Sequence, residues 1–558
     1  MNKPAGAALL LGMAILFLLA NRGAYKGYFQ DDELNNLSWT RDIPSVEFGK
    51  AVLSPRFFPN NFRPVGHFYF REMSLLHGLD FPRYLPLLHL FHILNVWMVW
   101  MLARRLVLPP LASSMGALFF AFHMAAFDIY WKPMYVFDLL CATFCLASLL
   151  LYTGRRYILS FCAFWLAYKS KELAVMLPVA LACYEFWLAK PRRWTPLIPF
   201  FAASLSFGVQ SMLFNQNIDN DYTFRFTPAA LRATVSYYSS SLLLGHYAGL
   251  ALIPLPFLSR DRRVWFGAAM LCLFFAPLLF LPGRLFAAYC YLPLSGLAVM
   301  AAAAAAMPRL TAVMACLCVL WIPLNMAQLK KNRRATLAAD DEARAYVSAL
   351  ADYARVSPTT RTFVFEGLPA GYHSWGTEGV LRLLYGYPNP ALYHVGDREA
   401  AAALKMDDVA LLEWDPGERR LRVFSSKSPL PYLAVGRPAP PWQLGEGWYE
   451  PENGFRWTGP QAAARLAWPR ETAAFELVVN VPPRQLQETG PARVALRLNG
   501  IDIGSRQVTQ SGLQTLRWPV RREVPGTAAV DLAVTPEYRP ANGDPRRLGL
   551  AVVAFGFR

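Results

Sequence analysis

Tyr28-Phe29-Gln30-Asp31-Asp32-Glu33 brings three acidic residues about ten positions past an apolar run, 5–20, the first of about eleven such runs in the chain. Carboxylates beside a run of that kind are costly to bury, because a charged side chain at the centre of a bilayer costs a few kcal/mol (about 2.5–3.5) on insertion scales. The triplet Asp31, Asp32 and Glu33 is therefore expected to face water or a substrate cleft at the membrane surface. It is the first candidate for chemistry.

The rest of the composition makes the membrane reading general. Of 558 residues, 55% are hydrophobic and 14% aromatic, with mean hydropathy +0.24, which excludes an ordinary soluble enzyme. Candidate spans fall at 5–20, 85–103, 111–127, 136–152, 157–168, 173–188, 196–213, 239–258, 264–281, 288–307 and 310–327. A net charge of +17 gathers at Arg104-Arg105, Arg155-Arg156, Lys190 to Arg193, Arg260 to Arg263 and Arg309, in every second connection. By the positive-inside rule those connections are cytoplasmic, which puts the acidic triplet and the tail after Gln328 on the other side. Lys330, Lys331, Arg333 and Arg334 disagree with that arrangement. Orientation and anionic lipid headgroups account for the basic excess, so no nucleic-acid partner is expected. The first run also has the look of a signal peptide, with Lys3 before it and small residues near Ala24.

All eight cysteines lie between Cys141 and Cys318, so neither a disulfide framework in the tail nor a CxxC zinc site is expected. The connection 21–84 is far longer than the others, and its Arg56-Phe57-Phe58-Pro59 and Phe62-Arg63-Pro64 stretches suit short interfacial helices. Further polar groups expected on the same side are Asp128, Lys132 and Asp138, then Lys169, Lys171 and Glu172, then 215–232, then Arg284.

Past 330 the pattern changes. Helical spacing at 338–354 and a strand at Thr362-Phe363-Val364-Phe365 mark a mixed α/β linker domain, 331–440. From 441 to 558 come alternating runs such as Phe475-Glu476-Leu477-Val478-Val479 and Val530-Asp531-Leu532-Ala533-Val534, spaced as in a β-sandwich. Asn499-Gly500 is a type I′ hairpin signal. The fold class expected is a polytopic α-helical membrane domain, 1–330, followed by an extracytoplasmic α/β region and a β-sandwich.

Five stretches in order carry a resemblance. They are the triplet, Phe62-Arg63-Pro64-Val65, Leu88-His89-Leu90-Phe91-His92-Ile93-Leu94-Asn95, Ser170-Lys171-Glu172-Leu173-Ala174-Val175 with Pro178, and Tyr289-Cys290-Tyr291-Leu292-Pro293 with Gly296. Together they resemble the GT-C membrane glycosyltransferases, in the branch of the protein O-mannosyltransferases and their bacterial relatives. Where that branch has a Glu-Arg pair before the late tyrosine, this chain has Ala287-Ala288. The resemblance implies an inverting transferase that takes a sugar from a polyprenyl-phosphate donor and delivers it to an acceptor hydroxyl outside a bacterial inner membrane. That acceptor would belong to a protein, lipid A or a polysaccharide. It also implies that the loop carboxylate is Asp32, or its neighbour Asp31.

The residue types suit that chemistry. One carboxylate can take the acceptor proton, and cations can meet the charge growing on the departing phosphate. Lys171 is the first choice for the cation, with Arg63, Lys169 and Arg284 as others; Glu172, Tyr291, Asp128 and Lys132 complete the candidate binding set. Asp31 with Asp32 could hold magnesium or manganese, although nothing in the sequence demands a metal. Duller roles compete: an N-cap for the triplet, an interfacial ion pair for Lys171-Glu172, pairing of Asp128 and Asp138 with Lys132, and helix packing for His89 and His92. Core packing is the expected role of Trp448 and Trp457. Other functions in view are a flippase for a lipid-linked glycan and a membrane-tethered glycan-binding protein.

Overall fold

The computed structural model describes residues 3–56, 62–214, 219–386, 388–436, 439–470, 472–521, 525–540 and 543–558. The expected interfacial stretch Phe57-Phe58-Pro59 and residues 215–218 of the external connection lie outside them. Two compact units are present: Met1–Arg344 with Ala370–Val380, and Ala345–Pro369 with Leu381–Arg558.

The first unit is helical. Among the described residues five helices are long and apolar enough to cross a membrane: Ala8–Lys26, Phe81–Arg105, Pro133–Thr153, Ala287–Ala305 and Pro308–Val356. Two bent pairs, Pro110–Phe122 with Met124–Trp131 and Pro228–Leu243 with Ala248–Ser259, turn by 49° and 72° and bring the number to seven if each is one span. Not all of the eleven expected spans are helices of that length among the described residues. Tyr157–Ser170 and Arg262–Phe275 have 14 residues each, about 21 Å of helix against a hydrocarbon core of about 30 Å. Apolar windows in the sequence run on through prolines and chain turns that end a helix, as at Pro178, where 173–188 divides into Glu172–Met176 and Leu177–Trp187.

The helix Tyr291–Ala305 lies at the centre of this unit, buried on nearly every side. Its small residues explain why. A Cβ on Gly296 would fall 2.6 Å from the Leu271 nitrogen, and one on Gly267 2.7 Å from the Met300 nitrogen, so the backbones of two helices touch here. A Cβ on Gly116 would likewise fall 2.7 Å from the Ala298 carbonyl oxygen. Several polar side chains of this interior bond to one another: Tyr291 Oη lies 2.8 Å from His92 Nδ1 and accepts from Asn95 Nδ2 at 3.1 Å.

The connection 21–84 folds into short helices, chiefly Asp31–Arg41, Ser45–Leu53 and Pro64–His77. Leu34 and Leu37 bury the inner face of the first, and Phe29 wedges against Phe81 and Tyr84. The helix Pro308–Val356 is continuous for 49 residues, so the expected span 310–327 and helical segment 338–354 are one element.

The second unit holds two β assemblies. One is a four-stranded sheet ordered Ala391–His394, Thr362–Glu366, Val409–Asp415, Arg420–Ser425, parallel except for the last hairpin. The other is antiparallel in two sheets, the first ordered Ile501–Val508, Ala492–Leu498, Gly526–Thr535, Gln461–Trp468. The second is ordered Gly512–Pro519, Ala474–Val481, Ala551–Phe557, Phe455–Thr458, Trp448–Glu452, with Tyr432–Ala434 also on Ala551–Phe557. Alternating positions such as Val494, Leu496, Val530 and Leu532 fill the space between with Phe475, Trp518 and Phe555. Asn499 and Gly500 take φ of 51° and 79°, the left-handed pair that a type I′ turn needs. Trp448 stacks on Phe555 at 5.0 Å and Trp457 packs with Tyr538 and Leu548, so both serve the core.

Candidate active site

The acidic triplet opens the helix Asp31–Arg41, and negative charge in a first turn is favoured by the helix dipole. Its three members have different fates. Glu33, fully buried, accepts from the Gln30 nitrogen at 2.7 Å and the Met134 nitrogen at 2.9 Å. Burial, offset in part by Lys132 and these two donors, pushes its pKa up to about 7. The expectation that all three would face a cleft is corrected for Glu33: two backbone donors and ready protonation make its burial tolerable. Asp31 is 8% exposed and accepts from the Asp32 nitrogen at 2.9 Å. Asp32 is half-buried. Its pKa is raised, first by burial and then by the adjacent Asp31 charge.

Two side chains far along the sequence meet this turn. His373 Nδ1 hydrogen bonds with the Asp31 carboxylate, and Trp375 Nε1 donates to Asp32 Oδ1 at 2.8 Å. Their rings stack at 4.1 Å and 9°. Both belong to the segment 370–380, which packs within the helical unit. Gly376 and Gly379 permit it: a Cβ on the first would fall 2.6 Å from Asp31 Cα and Cβ, and on the second 2.7 Å from the Asn35 nitrogen. Sequence reasoning missed both aromatic residues. The only local signal is a His and a Trp set among Gly371, Gly376 and Gly379.

A buried ion pair anchors the approach to the triplet. Lys132 Nζ pairs with Asp340 and donates to the Tyr28 carbonyl at 3.1 Å, while the Tyr28 nitrogen donates to Asp340 Oδ2 at 3.1 Å. The expected pairing of Lys132 with Asp128 and Asp138 is therefore corrected. Asp340, on the long last helix, outcompetes them because it satisfies the lysine and the Tyr28 backbone together. Among the described residues Asp128 forms no ion pair.

Two of the four candidate cations are already neutralised. Lys171 Nζ holds both oxygens of Asp138, at 2.6 and 2.7 Å, and Arg63 Nε holds both of Glu172, at 3.0 and 3.1 Å. Burial opposes the charges of Arg63 and Glu172, but their mutual attraction wins, raising the arginine's pKa and lowering the glutamate's. Lys169 Nζ donates to the Arg56 carbonyl at 3.1 Å and lies over Trp165.

Arg284 differs. Among the described residues it forms no ion pair, and its Nε is buried without a hydrogen-bond partner. Its guanidinium lies 4.6 Å from the Tyr222 ring and 4.7 Å from the Phe286 ring. Burial works against its charge, yet Tyr289, Tyr222 and Asp32 more than offset this, so its pKa is raised. Tyr289 links the group further, since Lys171 Nζ sits 4.1 Å above its ring and Arg63 feels its hydroxyl. Asp32 and Arg284 are thus brought within electrostatic reach of each other. Tyr291 is not brought to them, being held by His92 and Asn95.

Asp31 and Asp32 are engaged by His373 and Trp375, and among the described residues no three His, Cys, Asp or Glu side chains stand together as a metal site.

No family model and no curated protein matches the chain. Among solved structures it is similar to ArnT from Cupriavidus metallidurans bound to undecaprenyl phosphate, at 12% identity and TM-score 0.42, covering 76% of this chain and 98% of that one. The apo state of the same protein gives 11% identity, TM-score 0.41 and the same coverage. The chain is also similar to the arabinosyltransferase EmbB from Mycobacterium smegmatis, at 13% identity and TM-score 0.33, over 100% of this chain and 64% of that one.

Proposed function

We propose that this chain is a GT-C-type membrane glycosyltransferase that moves a sugar from a polyprenyl-phosphate carrier to a hydroxyl acceptor, with inversion at the anomeric carbon. The observation that carries the reading is the pairing of functions at one place. Asp32 is a half-buried carboxylate of raised basicity, and Arg284, in its electrostatic reach, is a guanidinium that forms no ion pair among the described residues.

In this reading Asp32 removes the acceptor proton as the acceptor oxygen bonds to the anomeric carbon. The bond from that carbon to the carrier phosphate breaks, and its electron pair leaves with the phosphate. Arg284 meets the growing negative charge in a site partly closed to water, where a fixed cation is worth most. Arg63 and Lys171 shape the cluster around Tyr289 while remaining paired with Glu172 and Asp138. One displacement without a covalent intermediate gives inversion. The basic connections of the sequence favour a non-cytoplasmic face for the site, on the periplasmic side of a bacterial inner membrane.

The test is reconstitution of the full chain in nanodiscs with a radiolabelled polyprenyl-phosphate sugar and an envelope extract as acceptor. A new glycosidic product of inverted anomeric configuration, read by NMR, is expected. If labelled carrier instead crosses the bilayer of vesicles while no glycosidic bond forms, the flippase reading replaces this one.

A further inference from the structure

The stacked pair His373 and Trp375 is not used by the mechanism above, and its placement is specific. The two rings lie face to face at 4.1 Å, yet His373 remains 53% exposed in its side chain and Trp375 40% exposed. Among the described residues no other ring or cation covers the indole. An aromatic shelf left open to solvent forgoes the burial that usually rewards such side chains. This one is also held rigidly. Trp375 is fixed at its edge by Asp32, His373 by Asp31, and the helix that begins just after His373 and carries Trp375, Ser374–Tyr385, is seated against the acidic turn through Gly376 and Gly379.

We infer that this pair is the acceptor subsite and that the acceptor is itself a carbohydrate. The inference rests on the glycosyltransferase reading for its chemistry. A sugar ring offers a flat, weakly polar C–H face edged by hydroxyls. The stacked rings supply a flat apolar surface for that face, and the carboxylates of Asp31 and Asp32 at its edge supply acceptors for the hydroxyls. The indole that carries the sugar is hydrogen-bonded to the carboxylate proposed as base. Stacking on it therefore sets a hydroxyl beside Asp32 without an additional positioning group. A serine or threonine of a peptide has no comparable face to lay on the shelf.

Saturation-transfer NMR on the full chain in nanodiscs tests this without any donor. The probes are methyl α-D-mannopyranoside, methyl α-D-arabinofuranoside, N-acetylglucosamine and a Ser/Thr-rich peptide. At least one sugar should receive saturation on its ring C–H protons from the unaltered protein. Trp375→Phe, which keeps a planar face, should retain the signal. Trp375→Leu should weaken binding about tenfold, the scale on which loss of a central aromatic anchor is felt. Because Trp375 is partly exposed, neither change empties a core, and size-exclusion elution should stay unchanged. Equal signals from Trp375→Leu, no sugar signal at all, or a signal from the peptide alone would each overturn the inference. Binding of undecaprenyl phosphate to the unaltered protein is measured separately. Its failure would sink the donor reading while leaving a sugar signal at Trp375 intact.

Discussion

Adding one methyl group at Gly376 should separate the aromatic pair from the carboxylates. An alanine Cβ there would lie 2.6 Å from Asp31 Cα and Cβ, where ordinary contact begins at 3.4 Å, so the helix Ser374–Tyr385 must retreat by about 0.8 Å. The 2.8 Å bond from Trp375 to Asp32 would then stretch to about 3.6 Å, which is no longer a hydrogen bond. Two effects on stability oppose each other. Alanine improves helix propensity by about 1 kcal/mol, and overpacking against backbone atoms costs about 1–3 kcal/mol. Overpacking wins, because the nearest atoms are Asp31 Cα and Cβ, and neither can swing aside without moving the backbone. Gly49 provides the control, being exposed in the helix Ser45–Leu53 with nothing within 4 Å of its would-be Cβ. Gly49→Ala should raise thermal stability slightly and leave transfer unchanged. Gly376→Ala should lower stability and reduce kcat/KM for transfer by about 10- to 100-fold, the cost of a misplacement of this size. The assays are differential scanning fluorimetry in detergent and transfer of labelled sugar. If Gly376→Ala behaves like Gly49→Ala in both, the segment 370–380 is not seated as described.

Three further outcomes follow from the same site. Glu33 has a native pKa raised from 4.5 to about 7, so its contribution to stability is fully present below pH 4.5 and lost as pH rises through 7. The loss amounts to about 3 kcal/mol, and Glu33→Gln should flatten the fall in Tm between pH 5 and pH 9. Lys132→Ala leaves Asp340 buried without its ion and should destabilise by about 3–5 kcal/mol, whereas the double change Lys132→Met with Asp340→Leu should recover much of this in denaturation by SDS. Arg284→Ala should lower kcat by about 100-fold or more while the acceptor KM changes little, and Arg284→Lys should restore part of it, as steady-state kinetics would record.

The sequence made the broad layout legible because hydropathy and strand alternation act over short windows. The runs at 475–479 and 530–534 are both strands, since their alternation reflects burial on one face of a sheet. The number and extent of the spans were less legible. A window average does not see the breaks after Phe122 and Leu243, where apolar residues continue but the helix axis turns. The acidic triplet was visible as a cluster, but not that Glu33 is taken up by Gln30 and Met134. Partnerships over long separations were hidden for a different reason. Lys132 with Asp340, and Asp31 with His373, join residues some 200 to 340 positions apart, which no periodicity or spacing reports. Lys171 looked like the cation for phosphate until Asp138, on a neighbouring helix, was seen to hold it. Arg284 emerged because it lacks such a partner.

The most direct measurement is the rate of sugar transfer by Asp32→Asn, with Asp31→Asn beside it and folding checked by size exclusion and thermal denaturation. The amide keeps the shape and the bond from Trp375 but cannot take a proton, so transfer by Asp32→Asn should fall to background with unchanged Tm. Full activity in that variant would contradict the assignment of Asp32 as the base.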